Sequence, residues 1–344
     1  VWGGDIRVVK VPTVPLDPAQ GVINALEQAA SIVMRSVSEL LHACEVFVHG
    51  STVATNTILE GKGARVGLLT SEGFRDALEI RRGIRESAWA HRKPYAPVLV
   101  PRHLRQAISG RIERDGSVTT PPSKKSVQQA AKAFRVSGIE SLAVCLYNVY
   151  LNAAEERWAA AAIREAGIEA PVSLSSAIAP IAGEYERTST VVMNAYIGPK
   201  TTTYLTNLAV RLKKLGLRPS VMLVQSNAGA ISVEEITSRP VTLLLSGPAS
   251  GVGALRYYQD AIGSENLISM EIGGTSCDVV LVDKGDVRIT DQLDIAGYRV
   301  MIPSVEVHTI GAGGGTIARV DAAGMLLVGP EGAGARPGPA CFGF

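Results

Sequence analysis

Residues 267–283 read LISMEIGGTSCDVVLVD. An apolar strand runs to Glu271, two glycines follow, and a second apolar strand leaves from Asp278. Paired glycines let backbone N–H groups point into a turn and come close to phosphate oxygens. Thr275 and Ser276 add hydroxyl donors. Glu271 and Asp278 flank the turn and are candidates to hold Mg²⁺ directly or through water. The segment therefore reads as a β-hairpin phosphate loop, distinct from the P-loop, which opens a helix. A tight hairpin with capping hydroxyls is the plainer alternative, because Gly-Gly turns are common.

Three other polar or glycine-rich stretches stand beside this one. Gly311, Gly313, Gly314, Gly315 and Thr316 lie in IGAGGGT, residues 310–316. Thr316 stands where a G-x-G-x-x-G fingerprint needs its last glycine, and IARVDAAG afterwards is a poor helix, so the dinucleotide fingerprint is not met. SGPASGVG, residues 246–253, follows the apolar run VTLLL; Ser246 is a candidate N-cap with Pro248 in the first turn, and the same N-terminus is a candidate phosphate site. HGSTVATN, residues 49–56, sits at a strand-to-helix junction. Strand C-termini are where α/β sheets bind ligands, which makes His49, Ser51, Thr52 and Asn56 candidates for the substrate side. Ser51 or Thr52 as a simple helix cap is the alternative. Arg82, in the cluster Arg81, Arg82 and Arg85, is a candidate anion clamp or a solvated face.

The rest of the chain alternates strands and helices. Strands are expected at 6–12, 46–48, 65–70, 141–149, 221–226, 241–245 and 267–272. Helices are expected along the face Ile23, Leu26, Ala30, Val33, Val37 and Leu41, then up to Gly61, over 126–137, from Asn152 to Gly167, and over 184–196 and 200–215. Shorter strands follow to about 309. This pattern implies an α/β layer fold with a largely parallel sheet. The lapse near 171–184, with Pro171, Pro180 and Gly183, suggests a boundary between a 1–175 unit and a 184–344 unit.

Bulk properties narrow the class. The 344 residues carry 34 Lys and Arg against 32 Asp and Glu, a formal charge of +2, which gives no reason to expect nucleic acid or an anionic membrane as partner. Cys44, Cys145, Cys277 and Cys341 are scattered with no CxxC pair, so a disulfide framework is not expected and a reducing, cytoplasmic setting is. No apolar run reaches the length needed to span a bilayer. Glycine is in excess, at 35 residues.

Taken in order, HGSTVATNTILEGKGARVGLLTSEGFRDALEIRR, EYERTSTVVMNAYIGP, VQSNAGAIS, LLLSGPASGVGA, MEIGGTSCDVVLVDKG, HTIGAGGGTIARVD and GPACFG resemble the A-type (ATP-binding) subunit of the hydantoinase/oxoprolinase family. The resemblance implies a two-lobed ATPase fold of the sugar kinase, actin and chaperone ATPase superfamily, with an incomplete second lobe. It implies a hydrolase that uses ATP and Mg²⁺ to open a cyclic amide or imide of the hydantoin, N-methylhydantoin or 5-oxoproline class. It also implies a hetero-oligomer with a separate or fused B-type subunit. Phosphate binding then falls to Gly273, Gly274, Thr275 and Ser276, metal or water positioning to Glu271 and Asp278, and the nucleoside side to Gly311, Gly313, Gly314, Gly315 and Thr316. Two alternatives stand beside it: the nucleotide subunit of an acetone- or acetophenone-type carboxylase, and a non-catalytic nucleotide-binding or assembly protein.

Some positions depart from the family pattern, which has Asp where this chain has Glu271 and Thr where it has Cys277. The stretch ESAWAHRKPY after Arg85 replaces the usual Arg-Pro-Asp-Leu-Tyr. The family's first strand and its GGT-x-x-D loop are not found near Gly3-Gly4-Asp5, so the chain reads as truncated at both ends and, by itself, catalytically inactive.

Overall fold

The computed structural model describes residues 4–12, 14, 16–83, 89, 92, 94–274, 276–334 and 338–339. Its central layer is a four-stranded parallel sheet. Strands Arg105–Ile108, Val66–Ser71, Ser141–Cys145 and Val172–Leu174 lie side by side in that order. Every residue of Val66–Ser71 and of Ser141–Cys145 is buried. Continuous apolar runs of this kind are what a sheet covered on both faces requires.

Helix Lys124–Ser137 lays Val127, Ala130, Ala131 and Phe134 on the sheet at three- and four-residue spacing, and Gly138 ends it in the left-handed conformation. Helix Ala154–Glu165 packs beside it, with Asn152 Oδ1 accepting the Ala154 amide. On the other side runs one helix of 31 residues, Glu184–Lys214. Two helices are expected there, because proline interrupts the helical ladder. Pro199 instead lies inside a single helix, buried almost without a break from Glu186 to Ile197 and again at Thr201, Leu205, Leu208 and Leu212. Tertiary packing on all sides outweighs the lost hydrogen bond.

Three further expectations change. The first helical face splits into Pro18–Ile32 and Val37–His42, because Met34 takes a positive φ of 52° and Ser36 and Glu39 form a capping box that starts a new helix. Residues 6–12 form no strand, since among the described residues no strand lies beside them; only Asp5 makes an isolated bridge. The run 241–245 is a 3-10 turn, Pro240–Leu243, followed by Leu245 at φ 53°. The fixed φ of Pro240 favours the turn, and Asn194 Oδ1 takes the Val241 amide that a strand would have paired.

The second half builds smaller sheets. Phe47–His49 pairs in parallel with Val221–Val224, which pairs antiparallel with Ala230–Ser232. Leu267–Ile272 pairs antiparallel with Cys277–Asp283, and His308–Ile310 joins the latter's other edge. Helix Ser246–Ile262 covers one face of this sheet through Ala249, Val252 and Leu255 against Val280 and Val282. The opposite face carries Ile268, Met270, Ile272, Leu281 and Ile310, all exposed. The largest core cluster draws on residues from Ala19 to Ile302 and includes much of the long helix.

Candidate functional site

Glu271 and Asp278 are register partners across the antiparallel pair. Directly opposed residues lie on the same face of a sheet, so both carboxylates stand on the face toward helix Ser246–Ile262. Between them the chain turns through 273–276, closed by the Gly273 amide donating to the Ser276 carbonyl at 2.8 Å. The hairpin is therefore the one expected from sequence. Thr275 lies outside the described residues.

The second glycine cluster meets this turn. The Gly314 amide donates to the Gly273 carbonyl at 2.9 Å, and the Gly315 amide donates to the Gly274 carbonyl at 2.8 Å. The contact excludes a side chain at Gly315: a β-carbon there would lie 2.9 Å from the Gly274 carbonyl oxygen. The Gly313 amide donates to Thr316 Oγ1 at 2.7 Å, which pins the far end of the loop. Gly273, Gly274, Gly311 and Gly314 are exposed, whereas Gly315 is buried. The strand Thr316–Val320, not a helix, follows the loop, in keeping with the failed dinucleotide fingerprint.

Thr309, which sequence reasoning passes over, donates from Oγ1 to Asp278 Oδ1 at 2.6 Å. It opposes Asp278 in the register of the third strand. Glu271 turns toward helix Ser246–Ile262, where its Oε1 occupies the space beside Gly251. Its pKa is raised, first by partial burial and then by the Asp278 charge.

The same helix reaches the fourth stretch. Ser246 does not cap it; Leu245 is the cap residue, with no side-chain cap bond. Ser246 Oγ instead donates to the Ser51 carbonyl at 3.1 Å, and the Leu245 amide donates to Thr55 Oγ1 at 3.1 Å. Thr52 lies beside Gly247, one helical turn before Gly251. Asn56 Nδ2 donates to Thr52 Oγ1 at 3.2 Å. His49 Nε2 and Tyr204 Oη share a 2.8 Å hydrogen bond, and burial pushes the His49 pKa down to about 4. Tyr204 carries no signal in the sequence, being one aromatic among threonines. Ser51 and Thr52, with Asn56 bonded to Thr52, thus meet the start of the helix whose Gly251 lies against Glu271, whereas His49 is tied to Tyr204 of the long helix Glu184–Lys214.

Arg82 is not brought to this cluster. Its Nε and Nη2 bind Glu186 Oε1 and Oε2 at 2.5 and 2.9 Å. Burial opposes ionisation of Glu186, but the Arg82 hydrogen bonds and charge outweigh it and hold the carboxyl below its usual range. Glu186 opens the long helix, and Tyr204 lies about 27 Å further along it at 1.5 Å per residue. Arg81 is engaged as well, donating to the carbonyls of Gly297 and Ala96. Arg85 lies outside the described residues.

The donor set suits a nucleotide phosphate with a hard cation. Exposed glycine backbones with no β-carbon offer close approach, and the carboxylates of Glu271 and Asp278 are hard oxygen donors. Among the described residues no three His, Cys, Asp or Glu side chains gather as a metal cage. Mg²⁺ characteristically takes one or two carboxylates and completes its shell with phosphate and water.

A hydantoinase/oxoprolinase N-terminal region model matches residues 2–167, and a hydantoinase/oxoprolinase model matches residues 187–344. The chain belongs to the hydantoinase/oxoprolinase family. It is 36% identical to the caprolactamase subunit alpha of Pseudomonas jessenii over 99% of its own length and 49% of that protein. It is 32% identical to the acetophenone carboxylase gamma subunit of Aromatoleum aromaticum, over 98% of this chain and 48% of that one. The crystal structure of the ATP-dependent caprolactamase from Pseudomonas jessenii superposes with a TM-score of 0.90, covering 99% of this chain and 50% of that chain. The chain thus spans about half the length of these family members. No helix among the described residues is long and apolar enough to cross a membrane.

Proposed function

We propose that this chain is the nucleotide-binding part of an ATP-dependent cyclic-amide hydrolase. The observation that carries the reading is the backbone pairing of Gly273 and Gly274 with Gly314 and Gly315 beside Glu271 and Asp278. In this reading Gly273, Gly274 and Ser276 contact phosphate oxygens, and the 311–316 loop lies on the nucleoside side. Such a two-loop cradle fits the two-lobed ATPase fold that the sequence resembles.

A lactam or imide resists hydrolysis because its carbonyl is stabilised by nitrogen. In this reading ATP passes its γ-phosphoryl group to the carbonyl oxygen with release of ADP. One water adds to the activated carbon and the C–N bond breaks, the nitrogen leaving as a protonated amine, and a second water hydrolyses the resulting acyl phosphate to carboxylate and phosphate. Phosphoryl transfer of this kind depends on positioning and charge neutralisation rather than on a protein nucleophile. Glu271 and Asp278 would hold Mg²⁺, Thr309 fixes the orientation of Asp278, and the exposed glycines, lacking side chains, let the phosphates come close to the loops. His49 stays neutral at physiological pH, so with Ser51, Thr52 and Asn56 it offers uncharged hydrogen-bonding groups suited to the ring amide of the substrate. A B-type subunit, separate or fused, completes the enzyme.

The test is ATP turnover by the full-length protein with a B-type subunit, in the presence of caprolactam, 5-oxoproline, hydantoin or N-methylhydantoin. Phosphate release stimulated by one of these supports the reading; none with any cyclic amide or imide overturns it. The likeness to the acetophenone carboxylase gamma subunit favours one second reading, the nucleotide subunit of a ketone carboxylase. Its signature is ATP turnover that requires both bicarbonate and a ketone.

A further inference from the structure

Helix Ser246–Ile262 contains three glycines after its first residue: Gly247, Gly251 and Gly253. Glycine inside a helix is destabilising relative to alanine, so each position invites a reason. A β-carbon at Gly253 would meet nothing within 4 Å, and one at Gly247 would meet only the Thr52 methyl at 4.0 Å. Gly251 differs. A β-carbon there would overlap Glu271 Oε1, and the carboxyl carbon Cδ would lie 3.3 Å away. The carboxylate of Glu271 occupies the space an alanine methyl would fill.

A glutamate at 271 reaches one methylene further than an aspartate would. In this chain that added reach is taken up on the helix, against Gly251. We infer that Gly251 is a positioning residue: its missing side chain is the seat that fixes the Glu271 carboxylate beside Asp278, and glycine at 251 goes together with glutamate at 271. This inference rests on the proposed nucleotide role of Glu271.

The pair is tested by a double-mutant cycle in the full-length protein, with G251A, E271D and the double variant, and G253A as control. The atom in the way is the far end of a flexible side chain, so G251A folds and displaces the carboxylate rather than the helix. The expected result is a MgATP dissociation constant at least ten-fold weaker for G251A, with the affinity for ATP in EDTA unchanged. In the E271D background the same G251A change has no further effect on MgATP affinity, because the shorter carboxylate no longer reaches the helix, and the thermal midpoint rises as expected for glycine to alanine. G253A binds MgATP like wild type. Wild-type MgATP affinity in G251A, or equal losses from G251A in both backgrounds, overturns the inference. Absence of MgATP binding by the wild-type protein at millimolar concentration overturns the nucleotide reading itself.

Discussion

The Gly314 amide donates to the Gly273 carbonyl at 2.9 Å, although a meander of short strands separates the two residues in sequence. This bond and its neighbour from Gly315 to Gly274 make two loops into one surface. Geometry excludes a side chain from that surface at Gly315, whereas a β-carbon at Gly274 would meet nothing within 4 Å.

Gly315→Ala is expected to break the surface. Its β-carbon would press on a backbone oxygen at 2.9 Å, which cannot swing aside as a side chain does. The cost is about 1–3 kcal/mol of local strain, and nucleotide affinity falls about ten-fold for each 1.4 kcal/mol of it borne by the site. Gly311→Ala, with open space around its β-carbon position, leaves the thermal midpoint unchanged. Calorimetric titration and thermal melts of the two variants check this; equal behaviour contradicts it.

His49 gives a pH signature. Its folded pKa is lowered by burial to about 4, against about 6.5 for an unhindered imidazole. Between those values the unfolded chain binds more protons, so stability is fully present above pH 6.5 and is lost as pH falls toward 4. The total is on the order of 3 kcal/mol, since each ten-fold difference in proton affinity is worth about 1.4 kcal/mol. Carboxylates titrate in the lower part of this window, so the informative quantity is the difference between wild type and His49→Gln. Denaturant melts from pH 7 to 4 are expected to show a shallower decline for H49Q; parallel slopes count against the assignment.

The Arg82–Glu186 pair is expected to act on stability alone. Its carboxylate is buried and its guanidinium is about half exposed, so solvent screens the pair and Arg82→Ala lowers stability without touching the nucleotide site. MgATP affinity stays at the wild-type value. Both are read from one denaturation series and one titration, and a ten-fold loss of MgATP affinity returns Arg82 to the ligand site.

Local chemistry makes much of the site legible in the sequence. The strand, turn and strand around Gly273 and Gly274 follow from apolar runs and a glycine pair, and the register that opposes Glu271 to Asp278 follows from the short turn. Contacts between distant segments are not legible. Nothing local announces that Gly315 packs on Gly274, that Tyr204 bonds His49, or that Thr309 holds Asp278. Gly251 reads as part of a helix start, yet its role depends on a side chain from another strand. The single helix through Pro199 escapes a local reading because burial on several sides overrides local preference, and the turn at Pro240–Leu243 does so because the Asn194 side chain that takes the Val241 amide comes from a distant helix. Arg82 looks free in sequence because its partner, Glu186, lies far along the chain.

In the proposed function the paired glycine loops and the Glu271–Asp278 face bind a nucleotide together with Mg²⁺. The most direct measurement is calorimetric titration of ATP into the full-length protein, wild type and Asp278→Asn, each with Mg²⁺ and with EDTA. The account predicts that Mg²⁺ strengthens binding to wild type at least ten-fold and that the D278N substitution removes this gain while leaving the EDTA affinity in place. A Mg²⁺ gain of the same size in both proteins would contradict it.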